Sequence, residues 1–464
     1  MVRREFLNAA GGLAGLFALQ SLAAAERSSS EEKPNIVILY ADDLGYADTA
    51  VYSCKDIPTP NIDALAKNGV RFTNGYVSGC VCSPSRAGLV SGRYQQRFGF
   101  DANAEGKSAP DDTGPRALDI KQVTIAQRMK ALGYATGIIG KWHLGSDTGY
   151  RPTERGFDEF FGFYPFGIAA KDVQLYRGLE PQPAPANYME AFSVEALSFI
   201  EKHKKDPFLL YLPFSAVHAP YLGQPPWINK LDADVPASRR KYGADIIQMD
   251  DVIGRVMKKL QDSGLEEKTL VFFISDNGGP GGVASNAPLF GTKWTLWEGG
   301  IHVPFIAQWK GRIPAGKTID APVIQLDVIP TALAAAGVSV KPDGLDGENI
   351  LPLLTGKNPQ APHDALYWRF GIQYAVRQGN MKLVKPHIDM KPRLHDLSKD
   401  IGEQKDIADA NPEKVQQLQA MWDAWNAKNE PPRWIDNRWN GEGAHAKKAG
   451  KKKTKKNEDD GGPR

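Results

Sequence analysis

Five continuous apolar runs constrain this chain more than any other feature. They are Asn35–Tyr40, Ala135–Gly140, Phe208–Ala216, Thr269–Ser275 and Val303–Gln308. Each is strand-length, rich in Val, Ile, Leu and Phe, and without the polar alternation of a half-exposed strand, so each predicts a strand buried on both faces. Helical patterns fall between them, over Thr124–Leu132, Met189–His203, Gly243–Gln261 and Val328–Ala336. Strand and helix taking turns predict an α/β fold, a mainly parallel sheet sandwiched by helices. In such folds the chemistry gathers beyond the C-terminal ends of the strands.

The pattern changes after Pro362. Leu366–Phe370, Tyr374–Arg377, Met381–Val384 and Arg393–Asp396 are short strands set close together, and a helix is expected over Pro412–Lys428. The expected organisation is a large α/β domain over 34–362 and a small C-terminal antiparallel sheet plus helix over 363–435. From 441 to 464 the chain is lysine-rich with no apolar residue larger than Ala, so this tail is expected to be disordered.

The formal charge of +3 belongs to the two ends, and the body between them is slightly acidic. That excludes a basic nucleic-acid-binding surface. At the N-terminus, Arg3-Arg4 precede an apolar, small-residue stretch and then Ala23-Ala24-Ala25. Residues 1–25 therefore read as a removable signal peptide of twin-arginine type, and the protein is expected to be exported, periplasmic or secreted, from a bacterium. The apolar run is shorter than the ~20 residues of a spanning helix, so no stable membrane anchor is expected. Cys54, Cys80 and Cys82 are the only cysteines, too few for a disulfide scaffold and without zinc-site spacing. Cys54 and Cys80 could pair or remain two free thiols.

Acidic residues stand at two strand ends. Asn35–Tyr40 runs into Asp42-Asp43, and Thr269–Ser275 into Asp276-Asn277. Buried acids are costly without a cation or hydrogen bonds. Brought together they form a set of hard oxygen ligands suited to Ca²⁺ or Mg²⁺ rather than zinc. Helix capping by Asp43 or Asp276 would explain one pair and not both. Cys82-Ser83-Pro84-Ser85-Arg86 follows. On the residues alone, Cys82 is either a thiolate nucleophile at a helix start, activated by Arg86, or a buried cysteine before a helix.

The stretch Cys82-x-Pro84-Ser85-Arg86 with Leu89-x-x-Gly92-Arg93 resembles the signature of the type I sulfatases, arylsulfatase-like bacterial members of the alkaline phosphatase superfamily. The resemblance runs from Pro34 to about Ala410. It implies an alkaline-phosphatase-like fold and a Cys82 oxidised to 3-oxoalanine (formylglycine) by a formylglycine-generating enzyme. It also implies one Ca²⁺ held by Asp42, Asp43, Cys82, Asp276 and Asn277. Lys141 and His143 in Gly140–Gly145, His218 in Val217–Pro220, and Lys293 in Gly291–Lys293 match the family's catalytic segments, as does Arg86.

The implied reaction is sulfate ester hydrolysis. Cations gather round the sulfate, one hydroxyl of the hydrated formylglycine attacks sulfur while His218, helped by Lys293, protonates the departing alcohol, and His143 then takes a proton from the second hydroxyl, expelling sulfate and restoring the aldehyde. Sulfated carbohydrates are the expected substrates ahead of aryl sulfates, with the loops Phe160–Gln182 and Tyr221–Ser238 lining the sugar pocket. The nearest alternative is a formylglycine-dependent phosphodiester or phosphonate ester hydrolase, and a more distant one is a non-catalytic binder of sulfated glycans. His302 stands where the family commonly has Arg, which leaves a substrate contact there as an open question.

Overall fold

The computed structural model describes residues 33–435 apart from 105–106, 109–113, 165–172 and 389. The signal-like segment and the lysine-rich tail lie outside the described residues. Ten strands form one sheet. In chain order they are β1 Asn35–Ala41, β2 Val70–Phe72, β3 Ala135–Lys141, β4 Glu159–Phe163, β5 Leu175–Arg177, β6 Glu180–Gln182, β7 Phe208–Pro213, β8 Thr269–Ser275, β9 Phe305–Gln308 and β10 Lys317–Ile319. Across the sheet the order is β10-β2-β9-β8-β1-β7-β3-β4-β5-β6. The five middle strands, β8 to β4, are all parallel.

Alternate side chains of β1 serve two cores. Ile36, Ile38 and Tyr40 pack with the helices α2 Cys82–Ser91, α3 Ile125–Ala131 and α6 Val328–Ala335. Val37, Leu39 and Ala41 pack on the opposite face with α1 Pro60–Lys67, α4 Tyr188–His203 and α5 Ala237–Asp262. Both faces of the strand are dry, which is why its sequence shows no alternation.

The expected strand over Val303–Gln308 is shorter, Phe305–Gln308, and it runs antiparallel to β8. A parallel neighbour needs a crossover back to the start of the sheet, usually a helix. Between β8 and β9 there is only a helical turn, Glu298–Ile301, so the chain re-enters the sheet from the end it left. Helix α5 begins at Ala237, before the expected Gly243, because its first turn is polar and the buried face starts only at Tyr242.

The C-terminal strands β11 Leu366–Phe370, β12 Gln373–Gln378, β13 Met381–Lys385 and β14 Arg393–Asp396 form an antiparallel sheet. Leu418 of α7 Pro412–Asn426 covers one face with Val376, Leu383 and Leu394. The other face packs Trp368, Phe370, Ala375 and Val384 into a core with Cys80, Val81, Trp297 and Ile301. That core therefore includes the residues just before α2. Cys54, Cys80 and Cys82 form no disulfide among themselves. Among the described residues no helix is long and apolar enough to cross a membrane.

Candidate active site

The C-terminal ends of β1, β3 and β8 meet the start of α2, and the predicted site residues gather there. Cys82 is the first residue of α2, and all ten residues of that helix are buried. The Cys82 Sγ lies 3.3 Å from Asp42 Oδ1 and 3.3 Å from Lys293 Nζ. One ligand atom from each of Asp42, Asp43, Cys82 and Asp276 falls within 4.8 Å of all the others. Asn277 joins them, its Nδ2 donating to Asp43 Oδ1 at 2.7 Å.

Three buried cations interleave with the three acids. Arg86 donates from Nε and a terminal nitrogen to Asp276 Oδ2 at 3.0 and 2.7 Å, and the same terminal nitrogen lies 3.5 Å from Asp42. Lys141 Nζ donates to Asp42 Oδ2 at 2.6 Å. Lys293 Nζ lies 2.7 Å from Asp43 Oδ1. Lys141 ends β3, where Gly140 has φ 128° and touches β7; a Cβ there would sit 2.0 Å from the Pro213 carbonyl oxygen. Only glycine lets the strand turn and aim the lysine at Asp42.

Burial opposes ionisation of Asp42, yet Lys141, Arg86, His218 and Lys293 together hold its carboxyl well below the usual carboxylate range. Asp276 goes the other way. Burial and the Asp42 charge push its carboxyl up to about 7 against the pull of Arg86. Carboxylates this close resist full ionisation until a further cation joins them. Burial works against the Lys293 ammonium, but Asp43 keeps it protonated above the ordinary lysine range. Burial and Asp42 push the Cys82 thiol well up, against Lys141 and Lys293. That environment favours a neutral side chain at position 82 over a thiolate.

The two histidines sit at the margin of the cluster. His143 is buried, and its φ of 59° lies in the left-handed region, as does that of Asp43 at 67°. Non-glycine residues held there cost about 1–3 kcal/mol each and concentrate at functional sites. His143 also lines a cleft of about 460 Å³ with Arg116, Asp147, Tyr164, Gln174 and Tyr176. The His218 Nδ1 donates to the Ala219 carbonyl at 2.7 Å, which leaves Nε2 facing Asp43 Oδ2 at 3.8 Å. Burial pushes His218 below the usual histidine range, with Asp43 and Asp42 pulling it back up.

His302, which stands where the family commonly has Arg, is engaged by its own fold. Its ring is buried, with Nδ1 2.8 Å from Glu298 Oε2 and Nε2 2.6 Å from the Thr73 carbonyl. Sequence reasoning also missed the side chains that hold the site from behind. The Tyr40 hydroxyl lies 3.1 Å from Ser85 Oγ, and Gln325 Nε2 reaches Ser85 Oγ at 3.3 Å and Ser78 Oγ at 2.9 Å. Tyr242 donates to Asp48 Oδ2 at 2.7 Å and accepts the Gly45 N–H at 3.2 Å, bracing the loop after Asp43. A third acid soon after Asp42-Asp43 was the available signal for Asp48; nothing in the chain pointed to Gln325 or Tyr242.

The Sulfatase family profile matches residues 34–338, and the profile described as N-sulphoglucosamine sulphohydrolase, C-terminal, matches 289–428. The chain is 34% identical over 384 residues to N-acetylgalactosamine-6-sulfatase of Homo sapiens, covering 76% of this chain and 72% of that protein. It is 30% identical over 432 residues to arylsulfatase H of Homo sapiens, covering 73% and 75%. The crystal structure of Ps i-CgsB, 30% identical, aligns with a TM-score of 0.81 over 87% of this chain and 95% of that one. The complex of Ps i-CgsB with k-i-k-neocarrahexaose aligns with a TM-score of 0.80. A match that runs from β1 through α6, on this fold and around this cluster, means that the chain belongs to the sulfatase family of the alkaline phosphatase superfamily, enzymes that hydrolyse sulfate esters.

Proposed function

We propose that this sulfatase acts on sulfated carbohydrates through residue 82 oxidised to formylglycine, with one Ca²⁺ held by Asp42, Asp43, Asp276, Asn277 and residue 82. The observation that carries this reading is the buried ring of three acids and three cations around Cys82. The donor set fits a hard dication. Its protein donors are oxygens apart from the Cys82 sulfur, and the buried Asn277 Oδ1 accepts no hydrogen bond. The charges of the three acids and of Arg86, Lys141 and Lys293 cancel. A dication leaves the cluster positive, as a sulfate monoanion requires.

When present, the ion would stabilise negative charge on sulfate oxygens, and water added across the aldehyde of oxidised residue 82 would give the geminal diol, one hydroxyl of which attacks sulfur as the alcohol leaves. Lys141 and Lys293 hold sulfate oxygens in place with charges that need no reorganisation during the reaction. Arg86 keeps Asp276 oriented. His218 Nε2 carries the proton for the departing alcohol, and His143 accepts a proton from residue 82. Two tyrosine rings beside Arg116, Asp147 and Gln174 give the cleft next to His143 the mixed apolar and polar lining that suits a sugar. Similarity to N-acetylgalactosamine-6-sulfatase and to Ps i-CgsB supports the carbohydrate assignment. The Arg3-Arg4 signal supports action outside the cytoplasm on polymers met there.

The test is mass spectrometry of the peptide containing Cys82, from protein made together with a formylglycine-generating enzyme. The peptide is expected to lack its thiol sulfur and to react with hydrazides. Cys82→Ala is expected to abolish turnover and Cys54→Ala to leave it intact. A fully active preparation with an intact Cys82 thiol refutes the reading.

A further inference from the structure

Lys293 reaches Asp43 and Cys82 from a loop, so its placement depends on what holds the backbone there. The next residue, Trp294, has φ 77°, a left-handed conformation that a side chain of this size seldom adopts. Two backbone hydrogen bonds hold this turn on the catalytic side. The Lys293 N–H donates to the Gly279 carbonyl at 3.1 Å, and the Trp294 N–H to the Cys80 carbonyl at 3.0 Å.

On the other side a side chain from a different sheet holds the turn. Gln373 Nε2 donates to the Trp294 carbonyl at 3.0 Å, and its Oε1 accepts the Leu296 N–H at 3.3 Å. Gln373 opens β12 and pairs with Phe370 across the two-residue Gly371-Ile372 turn, so it stands at the tip of a hairpin. It is fully buried. A primary amide is the side chain that can both donate to one peptide and accept from another two residues on.

We infer that Gln373 is a positioning residue for Lys293, and that through it the C-terminal sheet sets where the ammonium stands against residue 82. Its bonds bracket Trp294 to Leu296, directly after the lysine, and fix the strained turn from which Lys293 projects. Without them the turn relaxes and the ammonium leaves its place between Asp43 and residue 82. The inference rests on Lys293 acting at the sulfate, as proposed above.

The test is a double-mutant cycle of Gln373→Met with Lys293→Ala on the mature enzyme. It is read by kcat on an aryl sulfate and by calorimetric binding of inorganic sulfate. Displacement of a group by about 1 Å costs on the order of 10²-fold in rate. Gln373→Met is therefore expected to lower kcat about 10²-fold and to weaken sulfate binding. In the Lys293→Ala background the same change is expected to alter either by less than about twofold, because coupled residues are not additive. Gln373→Glu, which keeps the volume and the acceptor, goes through the same cycle and covers a failure of the Met variant to fold. A Gln373 effect of equal size in both backgrounds, or an unchanged kcat in folded Gln373→Met, overturns the inference. Lys293→Ala that leaves kcat and sulfate binding intact overturns instead the role given to Lys293.

Discussion

Asp42→Asn changes one charge and almost no volume, so its effect on stability is electrostatic. The Lys141 side chain has no exposed surface, and among the described residues the one acid in contact with its ammonium is Asp42, at 2.6 Å. Arg86 loses less, because Asp276 still accepts from it at 2.7 and 3.0 Å. The variant therefore strands one buried ammonium. Breaking a buried pair from one side costs about 3–5 kcal/mol. Asp42 is held well below the usual carboxylate range, so the full cost is expressed at neutral pH. Urea unfolding in the presence of a chelator, which keeps metal occupancy out of the comparison, is expected to show a loss of that size. Asp42→Asn with Lys141→Met removes the stranded charge and is expected to recover most of the stability with none of the activity. A single variant within about 1 kcal/mol of wild type would refute the reasoning, as would a double variant no more stable than the single.

Loss of His218 separates leaving-group assistance from sulfate binding: His218→Ala is expected to slow an alkyl sugar sulfate by about 10²–10⁴-fold and a nitrophenyl sulfate far less. Equal slowing of both in a kcat comparison means that His218 only positions the sulfate. His363 gives a pH signature. Burial disfavours its charge, but Asp327 at 2.7 Å, with Glu348 beyond and Lys341 opposing, raises its pKa in the fold. That contribution is complete below the unfolded value of about 6.5 and is lost as pH rises through the folded one. Urea midpoints from pH 6 to 9 are expected to show the advantage of wild type over His363→Gln shrinking with pH. A constant difference contradicts the assignment.

The parts of this fold that could be read from the chain are those whose local pattern has one explanation. The strands β1 and β8 show it best, since burial on both faces leaves an unbroken apolar run. The outer strands β2, β5, β6 and β10 have three residues each, too few to display a period. The direction of β9 depends on where the preceding loop leaves the chain, which no local pattern encodes. The site divides in the same way. Asp42, Asp43, Asp276 and Asn277 stand at the ends of legible strands, and Cys82 and Arg86 lie in a recognisable signature. Gln325, Tyr242 and Gln373 act through contacts 77 to 247 residues away in sequence, and a lone glutamine or tyrosine carries no mark of such a partner.

The burial of helix α2 bears on how the protein has to be made. Cys82 is 1% exposed, and every residue to Ser91 lies inside the core. An enzyme that grips an extended peptide around Cys82 finds nothing to hold once the sheet and its helices have closed over it. If Cys82 is oxidised as proposed, oxidation and folding are rivals for the same newly made chain. The proportion of active molecules in a preparation records the outcome of that race at the time of synthesis. Two batches with the same melting curve can thus differ in specific activity, and slower folding during expression raises the yield of working enzyme where a more stable variant does not.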